Sequence, residues 1–342
     1  MRNRLSHLLS IALLGLFIVS CSLQSERDQF FLKGKSKLEK RAFQEAARDF
    51  SEAIRLDSTF SEAYINRGVA YAELGNLEEA LEDYQQALVL NDTSKDALFN
   101  RAIAYFEVGK YQKSLEDLNK AEQVGLRTVN LYVNRGMARQ QLGDTEGALL
   151  DFEEAIVLQP ENTSALVNKG YVHFSRQEYD LAEESFQKAL VQDPKHADAL
   201  NNIGMVAIEE KNYDKAIKYL TKALNINAAH PYYRSNRAYV LALSGEIEES
   251  RKDLKVSLFY QKDNSEALRN MGITYLQERN WEQAKVYLDS AATLNQFTPK
   301  LNYYQYLLYK GLKDKRKACT YLQKSVSMSE NMLTDMDRNY CQ

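Results

Sequence analysis

The sequence predicts an all-α solenoid of about nine tandem helix–turn–helix repeats, and three observations carry that prediction. First, the chain repeats every 34 residues from Arg27 to Met332 without an insertion or a deletion. The repeats start at Arg27, Ser61, Lys95, Val129, Thr163, Ala197, Pro231, Ser265 and Pro299. Second, small residues recur at fixed places. The eighth place is Gly34, Gly68, Ala102, Gly136, Gly170, Gly204, Ala238 and Gly272, with Tyr306 in repeat nine. The twentieth and twenty-seventh are Ala or Ser throughout, as at Ala80 and Ala87. Such offsets in helical sequence mean helices packed too closely for a larger side chain. Third, each repeat holds two apolar patterns of helical period, split by breaks such as Gly75-Asn76, Gly109-Lys110, Gly143-Asp144 and Gly245-Glu246.

Ahead of the array, Arg2 and Arg4 make a basic start and Leu8 to Val19 is apolar. That stretch is too short to span a bilayer, so residues 1–20 read as a signal peptide. It ends Ile18-Val19-Ser20-Cys21, which resembles the lipobox of bacterial lipoproteins. The resemblance implies cleavage before Cys21 and a lipidated thiol. Several acyl chains on one residue make a stable membrane anchor. Ser22 in the next position implies, by that family's sorting, the outer membrane, with the periplasmic and surface faces both open. Residues 21–26 form a short linker. Ser22 to Glu26 extend less than about 20 Å, which would hold the first repeat near the membrane.

Within a repeat, places 4, 8 and 11 share one face of the first helix, as Tyr64, Gly68 and Tyr71 show. Places 20, 24 and 27 share a face of the second, as Ala80, Tyr84 and Ala87 show. Place 24 is large and apolar throughout, from Phe50 and Tyr84 to Leu288 and Leu322, a knob between small residues. One helix pair cannot bury such a face alone, so neighbours must stack. The pattern of Gly, Tyr, Ala, aromatic, Ala and Pro resembles the tetratricopeptide repeat, with the final Pro kept as Pro160 and Pro194. The resemblance runs over residues 27–332. It implies a right-handed superhelical solenoid that binds proteins or peptides and is not an enzyme. Residues 333–342 read as a C-terminal cap or tail, and no stretch of the sequence remains for a separate catalytic domain.

Place 6 reads Asn66, Asn100, Asn134, Asn168, Asn202, Asn236 and Asn270 through seven repeats, although Asn is a mediocre helix former. In the tetratricopeptide family this place faces the concave surface. The series resembles the asparagine ladder of the O-linked N-acetylglucosamine transferase superhelix, which grips an extended peptide by its backbone. A side-chain amide offers a donor and an acceptor and so can pair with any peptide unit; equally, it can bond locally between helices. Place 9 adds Val69, Ile103, Met137, Tyr171, Met205 and Tyr239 on the same face. Acids at places 2 and 13, such as Glu62, Asp198, Glu73 and Glu209, edge it. The expected ligand is a protein or extended peptide with apolar and basic side chains. The family's carboxylate clamp is not reproduced, because place 5 holds Ile65, Phe99, Val133 and Val167 where a cation is needed.

A second series covaries. Place 7 is Arg67, Arg101, Arg135 and Arg237 where place 23 is Asp83, Asp117, Asp151 and Asp253. Where place 7 is Ile203, Met271 or Gln305, place 23 is Tyr219, Tyr287 or Tyr321. Lys33 with Asp49 fits the rule and Lys169 with Ser185 breaks it. Co-substitution points to a bridge between paired helices, a scaffold feature.

The remaining chemistry is thin. Gly34-Lys35-Ser36 lacks the earlier glycine and strand of a phosphate-binding loop. His173, His196 and His230 are too far apart for a metal site, and Trp281 reads as packing. No Ser or Cys nucleophile is set beside a base. Removing Arg2 and Arg4 takes the formal charge from -3 to -5, and no basic stripe marks nucleic acid as a partner. No cofactor, metal or small-molecule substrate is expected. With Cys21 assigned to lipid, Cys319 and Cys341 are left to pair and pin the tail over the last repeat, since exported proteins are disulfide-permissive. The expectation is a lipid-anchored scaffold of the bacterial cell envelope holding peptide in its concave groove. The alternative is a structural scaffold that uses its convex face and ends.

Overall fold

A computed structural model describes residues 24–328, 330, 337 and 339–341 of the chain. Cys21 and the whole signal-peptide segment lie outside the described residues. Eighteen helices occupy residues 24–328, and no strand occurs among the described residues. None of the helices is long and apolar enough to cross a membrane. The first helices of the repeats are α1 (24–39), α3 (Ser61–Glu73), α5 (Lys95–Glu107), α7 (Val129–Gln141), α9 (Thr163–Ser175), α11 (Ala197–Glu209), α13 (Pro231–Leu243), α15 (Ser265–Gln277) and α17 (Leu301–Gly311). The second helices are α2 (Phe43–Leu56), α4 (Leu77–Leu90), α6 (Tyr111–Gln123), α8 (Thr145–Leu158), α10 (Tyr179–Gln192), α12 (Tyr213–Ile226), α14 (Ile247–Tyr260), α16 (Trp281–Leu294) and α18 (Lys315–Ser327). The fold is an all-α solenoid of tandem helix–turn–helix repeats.

Each turn between paired helices uses one device. Place 15 is left-handed in every repeat: Gly75, Gly109, Gly143 and Gly245, but also Arg41, Gln177, Lys211, Arg279 and Lys313, with φ from +57° to +62° at these last five. The residue after it donates its N–H back to the first helix, as Asn76 does to the Tyr71 carbonyl at 2.9 Å. Side chains then cap the helices that follow: Ser94, Thr128, His196 and His230 ahead of first helices, Asp144, Asn212 and Asp314 ahead of second ones.

The small residue at place 8 exists because the knob at place 24 leaves it no room. A Cβ on Gly68 would come within 2.6 Å of the Tyr84 ring, and one on Gly136 within 2.6 Å of the Phe152 ring. Gly34 faces Phe50, Gly204 faces Leu220 and Gly272 faces Leu288 at comparable distances. The knobs Phe50, Tyr84, Leu118, Phe152, Phe186, Leu220, Leu254 and Leu288 are all buried.

The described residues form two compact bodies, one ending at residue 172 and the other beginning at residue 173, divided within α9. In the N-terminal body a continuous core runs from Ile65 through Leu98, Leu118 and Leu131 to Ala165. In the C-terminal body the largest core joins Ala207, Tyr239, Ile273, Leu288, Tyr306 and Leu322. Asp337, Tyr340 and Cys341 pack on that body. Cys319 of α18 is bonded to Cys341, with 5.5 Å between their Cα atoms. Tyr306, which replaces the place-8 glycine of repeat nine, donates its hydroxyl to the buried Asp337 carboxylate at 2.8 Å. The Glu330 carboxylate accepts the Tyr303 backbone N–H at 3.0 Å, satisfying a first-turn donor of α17 that no cap residue reaches.

Candidate functional site

Place 6 sits at mid-length on each first helix, with place 9 one turn further along the same face. In the N-terminal body that face is open on α3, α5, α7 and α9. Asn66, Asn100, Asn134 and Asn168 are all half-buried there, as are Val69, Ile103 and Met137, while Tyr171 is 49% exposed. Asn66 donates to the Glu62 carbonyl at 2.7 Å, Asn134 to that of Asn130 at 2.8 Å and Asn168 to that of Ser164 at 2.9 Å. Each of these bonds uses one N–H and fixes the amide to its own helix. The second N–H and the carbonyl oxygen remain for a ligand. Asn100 makes no side-chain hydrogen bond among the described residues. The arrangement is therefore a row of four amides, each retaining a donor and an acceptor, beside an apolar strip.

In the C-terminal body the same places divide: Asn202 and Asn236 are half-buried with one side-chain bond each, whereas Asn270 and Tyr239 are buried. The Asn202 side-chain oxygen accepts from the Asn201 amide at 3.1 Å, and Asn236 donates to Asn201 Oδ1 at 2.9 Å. Asn270 is 1% exposed; its N–H groups meet Ser235 and its oxygen takes two N–H bonds from Arg269 at 3.1 and 2.9 Å. Tyr239, 5% exposed, meets the Tyr304 hydroxyl at 3.1 Å beneath the cations of Arg269 and Lys300. Met205 stays half-buried against the core. Asn270 and Tyr239 are thus buried parts of the scaffold, where the repeat pattern placed them on an open groove. The acidic edge changes too: Glu209 holds the Lys300 ammonium at 2.7 Å and Asp198 accepts from the Tyr233 hydroxyl at 2.5 Å.

Behind the open face runs the charge ladder. Arg67 grips Asp83 with two bonds of 2.8 and 2.7 Å, Arg101 grips Asp117 with two of 2.7 Å, and Arg135–Asp151 and Arg237–Asp253 repeat the motif. Each cation also reaches back to place 25 of the preceding repeat: Ser51, Gln85, Asn119 and Thr221 respectively. Lys169, opposite Ser185, takes Glu153 at that place instead, at 2.8 Å. The carboxylates are buried. Burial pushes the Asp83 and Asp151 carboxyls above their ordinary value even with arginine against them. Where place 7 lacks a cation, Tyr287 and Tyr321 stack on Tyr275 and Tyr309 at 5.5 and 5.4 Å. In repeat one Lys37, not Lys33, binds Asp49, at 2.8 Å. It lies one turn beyond Lys33 on the same helix face and reaches Glu45 as well.

No group of three or more His, Cys, Asp or Glu side chains is placed to hold a metal among the described residues. His196 and His230 accept backbone N–H bonds as helix caps, and His173 meets Glu178 at 2.6 Å.

Tetratricopeptide repeat models match residues 61–94, 129–162 and 161–229. No curated protein matches the sequence. Among solved structures, a tetratricopeptide repeat protein from Parabacteroides merdae is 20% identical with a TM-score of 0.60, over 72% of this chain and 98% of that one. A chain of the APC/C hetero-tetramer Cut9–Hcn1 is 14% identical with a TM-score of 0.63, over 87% of this chain and 59% of that one. YrrB, described as having an unusual peptide-binding site, is 28% identical with a TM-score of 0.45, over 54% of this chain and 95% of that one.

Proposed function

The chain belongs to the tetratricopeptide repeat family, and on that premise we propose that it is a lipid-anchored scaffold of the bacterial envelope that binds extended peptide on α3, α5, α7 and α9. The observation that carries this reading is the row formed by Asn66, Asn100, Asn134 and Asn168, half-buried amides that each keep an unused donor and acceptor. Paired with a peptide's N–H and C=O groups, they give affinity that is largely independent of its sequence. Val69, Ile103, Met137 and Tyr171 then select apolar side chains. Acylation of Cys21 supplies the anchor, and the outer membrane is the proposed site.

The test is capture from crosslinked membranes, comparing the unaltered protein with an Asn100→Ala, Asn134→Ala, Asn168→Ala variant of equal helicity and melting temperature. Proteins recovered by the first and lost from the second support the amide row. Equal recovery by both removes it. Metabolic labelling with an alkyne fatty acid tests the anchor, since Cys21→Ser must abolish both label and membrane association.

A second reading has one specific observation behind it. Place 29, near the end of the second helices, carries Val89, Val157, Val191 and Phe259, each at least 67% exposed. Scattered apolar residues are ordinary on a surface, but recurrence at one place within a body, Val89 with Val157 and Val191 with Phe259, favours contact with a larger assembly. In that case capture survives the asparagine substitutions and fails with Val89→Lys, Val157→Lys or with Val191→Lys, Phe259→Lys.

A further inference from the structure

The last two repeats contain an opening that the amide row does not use. Between α13, α15, α16 and α17 lies a cavity of about 470 Å³, walled by Leu243, Ile273, Leu276 and Leu307 and by the indole of Trp281. Its size falls within the usual range of ligand sites, about 300–1,000 Å³. Trp281 lies there because of Gly311. Place 13 carries a side chain in every other repeat, such as Glu209, Leu243 or Gln277. A Cβ on Gly311 would stand 2.5 Å from the indole ring. The bare backbone of α17 thus admits the indole, which forms one wall of the cavity.

The polar groups at the cavity narrow what it can take. The Lys310 ammonium is already bound by the Tyr306 hydroxyl at 2.8 Å and the Asp337 carboxylate at 3.1 Å. No unpaired cation therefore awaits an acid, and a fatty acid or an acidic side chain would leave its carboxylate unmatched. Gln277 donates to the Ala242 carbonyl at 2.8 Å and keeps its own side-chain oxygen free. The Tyr303 hydroxyl has no hydrogen-bond partner among the described residues. An acceptor and a hydroxyl beside an apolar, aromatic hollow match one peptide unit flanking a bulky uncharged side chain.

We propose that this cavity is an anchor pocket for a large apolar side chain, aromatic or branched, of an extended peptide, with Gln277 and Tyr303 holding the adjoining peptide group. The proposal rests on the reading of the protein as a peptide binder, but it uses residues separate from the amide row, so each can fail alone.

Trp281 is the chain's single tryptophan, so its emission reports on the pocket. The full chain is titrated with blocked pentapeptides Gly-Gly-X-Gly-Gly, where X is Phe, Leu, Gly or Asp, and with decanoate. Phe and Leu peptides should give a saturable change in emission, and Gly and Asp peptides none. Leu307→Phe, which fills the hollow, should weaken the Phe peptide by about tenfold or more, as expected at a buried anchor. Gln277→Ala, at an exposed position that does not endanger folding, should weaken it severalfold. No saturable change with any peptide overturns the proposal, as does unchanged affinity in both variants. Decanoate binding more tightly than the Phe peptide overturns it in favour of a lipid site. Capture lost through the asparagine variant with no peptide response at Trp281 sinks the pocket and spares the amide row; the reverse result sinks the row and spares the pocket.

Discussion

Arg135 is the most heavily committed cation of the ladder: its guanidinium meets Asp151, Asn119 and Glu122, with side-chain exposures of 8% for Arg135 and 3% for Asp151. At that depth the pair cannot be valued as a surface salt bridge of about 1 kcal/mol. Removing one partner does not strand the other, because Arg139 still reaches Asp151 at 2.8 Å and Glu122 and Asn119 still hold Arg135. The cost therefore falls below the about 3–5 kcal/mol of an orphaned buried charge. Arg135→Ala and Asp151→Ala should each destabilise by about 1–3 kcal/mol in urea unfolding, and the double variant by less than the sum. An additive result would mean that the two side chains do not interact. Glu122 gives the same cluster a pH dependence. The hydrogen bond from Arg135 holds its carboxyl below the usual range, outweighing burial. A carboxyl lowered on folding stabilises above its unfolded pKa, and that stabilisation is lost as pH falls through the folded value. Glu122→Gln should therefore weaken the protein near pH 7, and the difference should shrink as pH falls through the lowered folded value. Asp151 titrates with the opposite sign, because burial raises it. A measured gap that widens on acidification would assign the effect to the wrong carboxyl.

At the scale of the helix pair, the place-8 and place-24 residues form one unit of packing. Gly136→Ala would gain about 1 kcal/mol of helix propensity but forces a methyl to 2.6 Å from Phe152, and overpacking costs about 1–3 kcal/mol. The net outcome should be a loss. Repeats three and seven already contain the remedy, since Ala102 faces Leu118 and Ala238 faces Leu254. Gly136→Ala with Phe152→Leu should recover most of the stability, and a double variant no better than the single would refute this pairing. Places 8 and 24 were legible in the sequence only as small and large places, not as partners, since glycine faces Phe152 and Leu220 alike. Arg67 with Asp83 and Arg101 with Asp117 were legible as pairs because both members change together. The contact from place 7 back to place 25 was not, because Ser51, Gln85, Asn119 and Thr221 have only a hydrogen-bonding atom in common. Nor could periodicity separate Lys33 from Lys37, one turn apart on the same face. The burial of Asn270 and Tyr239 was equally hidden. It depends on Arg269, Lys300 and Tyr304, which occur once each and obey no repeat.

For the whole molecule, each body is built mainly from contacts between adjacent repeats, although in the C-terminal body Lys300 reaches Glu209 three repeats back and Tyr304 reaches Tyr239 two repeats back. Stability is therefore approximately a sum of local terms, and damage should stay within its own body. The Cys319–Cys341 bond makes that testable. It closes a segment with a sequence separation of 22, which corresponds to about 3 kcal/mol of stabilisation in the chain-entropy account. The tail that it holds carries Asp337, which bonds Tyr306 and Lys310, and follows Glu330, which caps α17. Cys341→Ser should therefore release amide-exchange protection in α17 and α18 first, then in α15 and α16, while the helices α3 to α8 of the N-terminal body exchange as before. The same gradient should appear on reduction of the unaltered protein. Uniform loss of protection through both bodies would show that the array unfolds as one cooperative block. In that event the tail would be a clasp on the entire chain, and the nearest-neighbour description would have to be abandoned.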